Sequence, residues 1–199
     1  LATVTVSEAG RGERVAALAY GPRHVYVQVA AGAPLAEFWR LVTLDVADAA
    51  APRIVDRHDM PALIHSAPGG LLRVGDDIVA LTRTRWGPNP LQRFDLADPA
   101  RPVPAAAQSV GMGAAMAAAA AGDGAVVAVA DAEDAGVHVV DGQGAAGLAR
   151  RGYLDLLGGV TALAADGATF EALDVGGGAP RLHVLRADAP AGGPIEALD

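Results

Sequence analysis

Two histidines and an aspartate are the first candidates for metal chemistry in this chain of 199 residues. His58, Asp59 and His65 lie within one short segment. Zinc requires three or four converging nitrogen, oxygen or sulfur ligands. The sequence has no cysteine and no H-E-x-x-H motif, so these three residues do not complete a recognisable zinc site. We therefore expect no metal and no other cofactor.

A second candidate is the acidic segment DAEDAG at 131–136, which contains Asp131, Glu133 and Asp134. Carboxylate oxygens are the ligands that calcium prefers, but the segment lacks the spacing and the glycine of an EF-hand loop. We expect a solvated acidic loop here, and weak calcium binding is the alternative.

Nucleophilic catalysis is not indicated by the sequence. Neither Ser66 nor Ser109 lies in a G-x-S-x-G turn, and there is no P-loop. The segment GMGAAMA at 111–117 has the glycines of a dinucleotide-binding loop, but no acidic residue follows at the end of a second strand. We therefore name no catalytic residue and favour a protein that is not an enzyme.

The bulk composition excludes several classes of protein. Hydrophobic residues make up 52% of the chain and charged residues 19%, which excludes a disordered chain. No apolar run approaches the ~18 to 20 residues of a membrane span. The net charge of −8 argues against nucleic acid as a partner. Residue 1 is leucine and residues 1–15 lack a signal-peptide pattern, so we expect an excerpt of a longer chain or a mature product.

An internal repeat reveals the elements that must position these residues. The segments LVTLDVADAAAP at 41–52 and LQRFDLADPARP at 91–102 recur as GVHVVDGQG at 136–144 and RLHVLRADAP at 181–190. Aligning Asp45, Asp95, Asp141 and Arg186 gives spacings of 50, 46 and 45 residues. Apolar residues alternate with others within each copy, which indicates a half-buried strand.

A second pattern keeps the same period. A Gly/Asp turn followed by a β-branched run occurs in YGPRHVYVQV at 20–29, VGDDIVALT at 74–82, AGDGAVVAVA at 121–130 and ADGATFEALDV at 165–175. Such turns join the two strands of a hairpin. Each period therefore holds four short strands, which is typical of a propeller blade. The sequence predicts an all-β fold, a β-propeller of about four four-stranded antiparallel blades.

We assign residues 1–199 to a single propeller domain, with blades at about 13–62, 69–113, 114–159 and 160–199. The segment 1–12 is predicted to supply an outer closing strand, in which residues 1–7 pair beside 181–199. The alternative is that this strand ends a preceding blade, so that the chain is a fragment of a larger propeller. The alanine-rich segment 112–122 has high helix propensity, but it occupies the position of an innermost strand, and we predict a strand there.

Two of the repeated segments carry a family resemblance. LVTLDVADAAAP and LQRFDLADPARP resemble the LVIVD repeat, whose pattern is L-x-V-x-D-V-S-D-P-x-x-P. The other two copies match less well, because 136–144 lacks the D-P-x-x-P turn and Arg186 replaces the aspartate in the last copy. The resemblance implies a β-propeller and an extracellular, periplasmic or cell-surface location. It implies no shared catalytic residues.

The repeat also predicts which loops share a rim. The second-to-third and fourth-to-first strand connections lie on one rim, which groups the segments 31–40, 57–70 and 84–90. Aromatic and arginine residues are common anchors of binding surfaces. We therefore predict a binding surface on this rim at Phe38, Trp39, Arg40, His58, Asp59, His65, Arg85 and Trp86. The alternative, which we favour for the two tryptophans, is that they only pack.

The sequence is compatible with three functions, one of which is a purely structural role as one segment of a larger surface protein. The sequence favours a non-enzymatic binding or scaffold module that engages a protein, peptide or glycan through the loops of one rim. The alternative is an enzyme domain whose active site lies in the axial channel and takes residues from several blades. Converging histidine, aspartate and arginine side chains in the channel would favour the enzyme, and a shallow apolar rim would favour binding.

Overall fold

The computed structural model describes residues 3–6, 12–31, 38–60, 66–84, 89–110, 115–121, 124, 126–131, 136–143, 148–156, 160–174, 179–186 and 197–198. Nearly all of these residues lie in β-strands or in the short turns that join them, and within these ranges there is no α-helix. Consequently, the described part of the chain contains no helix with the length and apolar character that a membrane crossing requires.

The first half of the chain forms two antiparallel sheets, each with its strands in chain order. The first sheet consists of β1 (Arg14–Tyr20), β2 (His24–Ala31), β3 (Phe38–Asp45) and β4 (Arg53–Met60). The second sheet consists of β5 (Ser66–Val74), β6 (Asp77–Thr84), β7 (Asn89–Asp95) and β8 (Val103–Val110).

The second half repeats this arrangement. The third sheet consists of β9 (Ala115–Ala121), β10 (Val126–Asp131), β11 (Gly136–Asp141) and β12 (Ala149–Asp155). The fourth sheet consists of β13 (Val160–Asp166), β14 (Thr169–Asp174), β15 (Arg181–Arg186) and β16 (Ala197–Leu198). The predicted all-β class, with four antiparallel sheets of four strands, is confirmed.

The repeated aspartate closes the connection between the third and fourth strands of a sheet. In the first sheet, Asp45 accepts a hydrogen bond from the N–H of Ala47 at 3.0 Å and pairs with Arg53 at 3.0 Å. The Ala47 N–H and then the Arg53 guanidinium hold the pKa of the Asp45 carboxyl below its ordinary value. The equivalent bonds in the next two sheets run from Ala97 to Asp95 and from Gln143 to Asp141. In each case the backbone N–H two residues after the aspartate donates a hydrogen bond to the aspartate carboxylate. This bond stabilises a turn, which explains why the repeat has aspartate at this position.

The sheets stack face to face through apolar side chains. The innermost strands are neighbours in series, since β1 contacts β5, β5 contacts β9 and β9 contacts β13. The strand predicted in the alanine-rich segment is confirmed as β9. Its small side chains allow β5 and β13 to pack closely on either side, and this tertiary packing outweighs the helix propensity of alanine. The largest fully buried side chains are Tyr26, Phe94, Phe170, Leu41, Ile78, Leu81, Leu91 and Leu185.

The two end sheets do not close on each other. The strands β13 and β1 make no contact comparable with those between the other innermost strands. On β1, Val15, Leu18 and Tyr20 remain 52%, 45% and 65% exposed. The four sheets described here therefore form an open series rather than a closed ring of four.

The outer strand predicted at 1–7 is not found among the residues that the structure describes there. Within that segment the structure describes residues 3–6, and they form no strand. Val6 packs instead on Val27, Val29 and Val42, whose apolar side chains cover the outward face of the first sheet. The outer position of the fourth sheet belongs to β16, which pairs with β15. Val6 therefore lies on an apolar face of the first sheet and not at the edge of the last sheet.

Candidate functional site

Five of the predicted surface residues lie in strands, so the prediction that they occupy rim loops is wrong for them. Phe38, Trp39 and Arg40 begin β3, and His58 and Asp59 lie near the end of β4. The alternating pattern of β3 extends three residues further toward the N-terminus than the sequence repeat suggested. The side chain of Phe38, together with His65, Arg85 and Trp86, lies outside the described residues.

Trp39 is a packing residue. Its side chain is only 4% exposed and lies in the apolar cluster between the first and second sheets. The rings of Trp39 and Phe94 lie edge to face, with 6.5 Å between their centroids. The ring of His58 also lies edge to face with Phe94, with 5.8 Å between centroids. Edge-to-face contacts of this kind stabilise an interior. The packing alternative therefore describes Trp39, while the role of Trp86 stays a prediction.

Arg40 neutralises a buried carboxylate. Its Nη1 lies 3.4 Å from Oε1 of Glu13, and the two side chains are 6% and 1% exposed. Its Nε donates a hydrogen bond to Oδ1 of Asp59, which is exposed on the neighbouring strand. A buried ionised group is stable only when it is paired and hydrogen-bonded. Arg40 thus ties β3 to β4 and to the residue before β1, and its guanidinium is not presented to a ligand.

A cleft of about 680 Å³ opens on the opposite rim, between the first and second sheets. This rim carries the turns that join the first strand to the second and the third strand to the fourth, and we call it the hairpin rim. The volume lies within the range of small ligand sites. The inter-sheet cleft is lined by Pro22, Arg23, His24, Tyr26, Arg73, Asp76, Asp77, Asp95, Leu96, Ala97 and Pro99.

Tyr26 and Arg73 form the floor of the inter-sheet cleft. The Tyr26 hydroxyl donates to the carbonyl oxygen of Pro99 at 3.1 Å, which joins the two sheets. Burial raises the pKa of the Tyr26 phenol, and the nearby Arg73 guanidinium opposes this rise. Arg73 is itself fixed, because its Nε donates to the Gly75 carbonyl at 2.8 Å. The floor is therefore polar and preorganised.

The walls of the cleft offer charges of both signs. Asp77 is occupied within the protein, since it pairs with Arg93 at 2.7 Å and accepts the N–H of Leu96 at 3.2 Å. Asp76 is fully exposed and its carboxylate lies 3.7 Å from the Arg73 guanidinium. On the facing wall Arg23 is also exposed. Asp95, beside Asp77 on its wall, is exposed as well, so a ligand can reach carboxylates on one wall and a guanidinium on the other.

A second depression, of about 540 Å³, lies beside the cleft on the same rim. It is formed at the ends of innermost strands and at the turns that follow them, and we call it the axial depression. Its lining consists of Arg73, Gly75, Asp76, Ala120, Ala121, Gly124 and Gly167. Arg73 and Asp76 line both cavities, so the cleft and the depression adjoin at the turn after β5, and we call the two together the hairpin-rim groove.

Gly124 allows the third sheet to approach that turn. Its φ is +85°, and a Cβ on it would overlap backbone atoms of Val74 and Gly75. A side chain is therefore excluded both by conformation and by the neighbouring backbone. Gly124 lines the axial depression at this point of close approach.

The comparisons with known proteins bear on the fold. No family model and no curated protein matches the chain. Among solved structures, the β-propeller domain of Cps50 (Swd1) from Myceliophteria thermophila is similar, with a TM-score of 0.60 and 12% sequence identity over 85% of this chain and 50% of that one. The fold is a β-propeller. The chain spans about half the length of that structure, and its four sheets are blades.

Metal and catalytic groups do not gather in the described part of the propeller. No set of three or more histidine, aspartate or glutamate side chains is placed to hold a metal ion there. Among the lining residues of the axial depression there is no histidine, serine or tyrosine. The acidic segment 131–136 cannot be assessed, because residues 132–135 lie outside the described residues.

Sequence reasoning missed the hairpin-rim groove. The segments that build it, Gly21 to His24, Val74 to Asp77 and Asp95 to Pro99, were recognised only as turns. The signal was present, since three turns of neighbouring blades each carry arginine or aspartate next to glycine or proline. The tryptophans and histidines instead led to a binding surface predicted on the other rim, where the side chain of Trp39 is buried.

Proposed function

We propose that this propeller is a non-enzymatic binding module that recognises an extended peptide segment of a partner protein on its hairpin rim. The observation that carries the proposal is that the inter-sheet cleft and the axial depression adjoin and share Arg73 and Asp76 as lining residues. A groove that crosses from one blade to the next suits a chain-like ligand better than a compact one. Extended peptides commonly bind through backbone hydrogen bonds and pockets for individual side chains.

The charge pattern supports a peptide. A peptide backbone presents both N–H donors and carbonyl acceptors along its length. The exposed carboxylate of Asp76 accepts hydrogen bonds and the exposed guanidinium of Arg23 donates them. These groups stand on opposite walls of the cleft, so one extended strand lying between them can satisfy both.

The axial depression supports the same assignment. Gly75, Gly124, Gly167 and the alanines of β9 leave an open volume with few side-chain atoms in it. A lining of small residues can accept one protruding ligand side chain. The peptide would then lie in the inter-sheet cleft and place a side chain in the axial depression, next to Arg73.

A glycan is the less favoured ligand. Flat aromatic surfaces are well suited to cover the apolar face of a ligand. Of the tyrosine, tryptophan and phenylalanine side chains, Tyr26 alone is among the residues that line the cleft, and its ring is buried within the floor. The described groove therefore offers no exposed tyrosine, tryptophan or phenylalanine ring on which a sugar could stack.

The cellular location is a separate proposal and rests on sequence alone. The segments at 41–52 and 91–102 resemble the LVIVD repeat, which supports an extracellular, periplasmic or cell-surface protein. Fractionation of cells of the source organism, followed by immunodetection in each fraction, tests this. Recovery from the medium, the periplasm or the cell surface would support the proposal, and recovery only from the cytoplasmic fraction would contradict it.

Selection from a phage-displayed library of random peptides tests the proposed function. We expect enriched peptides to bind the wild-type chain and to lose at least about tenfold in affinity, about 1.4 kcal/mol, on Arg23→Ala or Asp76→Ala. Arg57→Ala, an exposed arginine on β4, is the matched control and should leave affinity unchanged. Equal binding to all four proteins, or enrichment only from a glycan array, would overturn the proposal.

A further inference from the structure

We infer that the peptide bound in the hairpin-rim groove carries an arginine, and that the guanidinium of this arginine binds Asp95 in the inter-sheet cleft. The inference rests on the proposed function, because it names one side chain of the same peptide. Its basis is a single position of the repeat, the aspartate that ends the third strand of each of the first three blades.

In the first and third blades, an arginine of the same blade neutralises this aspartate. One carboxylate oxygen, Oδ1, accepts the backbone N–H of the turn. The other oxygen, Oδ2, lies 3.0 Å from Nη2 of Arg53 in the case of Asp45 and 3.0 Å from Nη2 of Arg151 in the case of Asp141. Both arginines belong to the fourth strand of their blade. An internal ion pair therefore occupies each of these two carboxylates.

In the second blade this ion pair is missing. Oδ1 of Asp95 accepts the N–H of Ala97 at 2.7 Å, so the turn is closed in the same way. The residue that pairs with Asp95 on the fourth strand is Val103, at the place that Arg53 has in the first blade. A valine side chain has no hydrogen-bond donor, so it cannot supply the missing partner.

Oδ2 of Asp95 is available to a ligand in the cleft. Arg93, two residues earlier on β7, is already paired with Asp77 at 2.7 Å. Within the described part of the chain, no group donates a hydrogen bond to this oxygen. Asp95 is exposed and lines the inter-sheet cleft, whereas Asp45 and Asp141 are not among the lining residues. The blade without the internal arginine is thus the one whose aspartate a ligand can reach.

The internal pair of the first blade indicates which ligand side chain fits. Arg53 directs two nitrogens to Oδ2 of Asp45, with Nε at 3.4 Å and Nη2 at 3.0 Å. A guanidinium holds these donors in a rigid fork, whereas the ammonium of lysine is a single point charge. A peptide arginine can therefore repeat this geometry on Asp95. The exposed carboxylate of Asp76 on the same wall and the net charge of −8 also favour a cation.

Removal of the charge from either partner tests the inference. We expect the peptides enriched from the phage library to contain arginine, and a selected peptide to lose at least about tenfold in affinity on Asp95→Asn. Asparagine keeps an oxygen for the Ala97 N–H, so the turn should still form. Citrulline in place of the peptide arginine removes the charge and should cost as much, and the two changes together should cost no more than either alone. Asp155→Asn, which changes an exposed aspartate on β12, is the matched control and should leave affinity unchanged.

Restoration of the internal arginine supplies a second readout. Val103→Arg gives the second blade the residue that the first blade has, and its guanidinium should compete with the peptide for Oδ2 of Asp95. We expect this variant to bind the selected peptide at least about tenfold more weakly. Val103→Met, which introduces a long side chain without a charge or a donor, should bind it as the wild-type chain does.

The outcomes separate this inference from the proposed function. Peptides that depend on Arg23 and Asp76 but lack arginine, or that bind equally well with citrulline, would overturn the inference and leave the proposed function standing. Unchanged affinity on Asp95→Asn would do the same. Binding that is also insensitive to Arg23→Ala and Asp76→Ala would overturn both.

Discussion

Tyr26 of the first blade donates its phenolic hydrogen to the backbone carbonyl of Pro99 in the second blade, with 3.1 Å between the oxygens. The ring is completely buried and belongs to the apolar cluster between the two blades. The same residue therefore joins two blades and forms the floor of the proposed peptide groove. The stability of the junction and the shape of the site are linked through one side chain.

Tyr26→Phe should lower the free energy of unfolding by about 1 kcal/mol, because the Pro99 carbonyl loses its hydrogen-bond donor. Urea denaturation followed by tryptophan fluorescence measures this. Tyr20→Phe removes the hydroxyl of an exposed tyrosine and should change the free energy very little. Equal losses in the two variants would show that the hydroxyl of Tyr26 makes no specific contribution.

Tyr26 also predicts a dependence on alkaline pH. Burial raises the pKa of its phenol, so the folded state favours the neutral form. Its contribution to stability is therefore complete below the ordinary phenol pKa of about 10 and is lost as the pH rises above it. Wild-type protein should lose more stability than Tyr26→Phe between neutral pH and such alkaline pH. Parallel losses would contradict the assignment.

Arg40→Ala should destabilise the first blade by about 3–5 kcal/mol, since it removes the guanidinium that faces the buried Glu13 carboxylate. Arg57→Ala, on the exposed side of β4, should change the free energy of unfolding by less than about 0.5 kcal/mol. Thermal denaturation of both variants provides the comparison. A small effect of Arg40→Ala, similar to that of Arg57→Ala, would assign Arg40 to the surface that the sequence predicted.

Trp39→Ala should cost about 3–5 kcal/mol, because it empties a large volume beside Phe94 in the junction of the first two blades. Trp39→Phe retains much of that volume and should cost less. Peptide affinity of the folded fraction should not change, because Trp39 is absent from the groove. A selective loss of binding with normal stability would instead restore the binding surface predicted from the sequence.

Gly124→Ala should destabilise more than Gly167→Ala. Both glycines have positive φ, so both substitutions carry the conformational cost of about 1–2 kcal/mol. A Cβ at Gly167 meets open space, whereas one at Gly124 overlaps the backbone of Val74 and Gly75. The difference between the two variants in chemical denaturation isolates that overlap. Identical losses would show that the third blade can move away from the turn.

The architecture was accessible from the sequence because it depends on local patterns. Alternation and Gly/Asp turns locate the hairpins, and the spacing of Asp45, Asp95 and Asp141 reveals the repeat. Even β9 was predicted as a strand, since its position in the repeat outweighed the helix propensity of alanine. Each of these inferences needs only neighbours in the chain or the period itself.

The groove was not accessible in the same way. It depends on contacts such as that between Tyr26 and Pro99, which are 73 residues apart. It also depends on whether Asp77 forms its ion pair within the protein, which residue type does not reveal. The same holds on the opposite rim for Arg40, whose guanidinium pairs with the buried Glu13. The placement of residues 3–6 was not predicted either. A short apolar segment can pair at the edge of a sheet or pack on its face, and the sequence pattern is the same in both cases.

Hydrogen exchange of the chain with a selected peptide bound, read by mass spectrometry or NMR, tests most directly which rim is the binding surface. The account predicts slowed exchange at the backbone amides of Arg23, His24, Asp76, Asp77 and Ala97, with no change at Arg40 or Asp59. Slowed exchange confined to the beginning of β3 and the end of β4, with the hairpin turns unaffected, would contradict it and would place the ligand on the opposite rim.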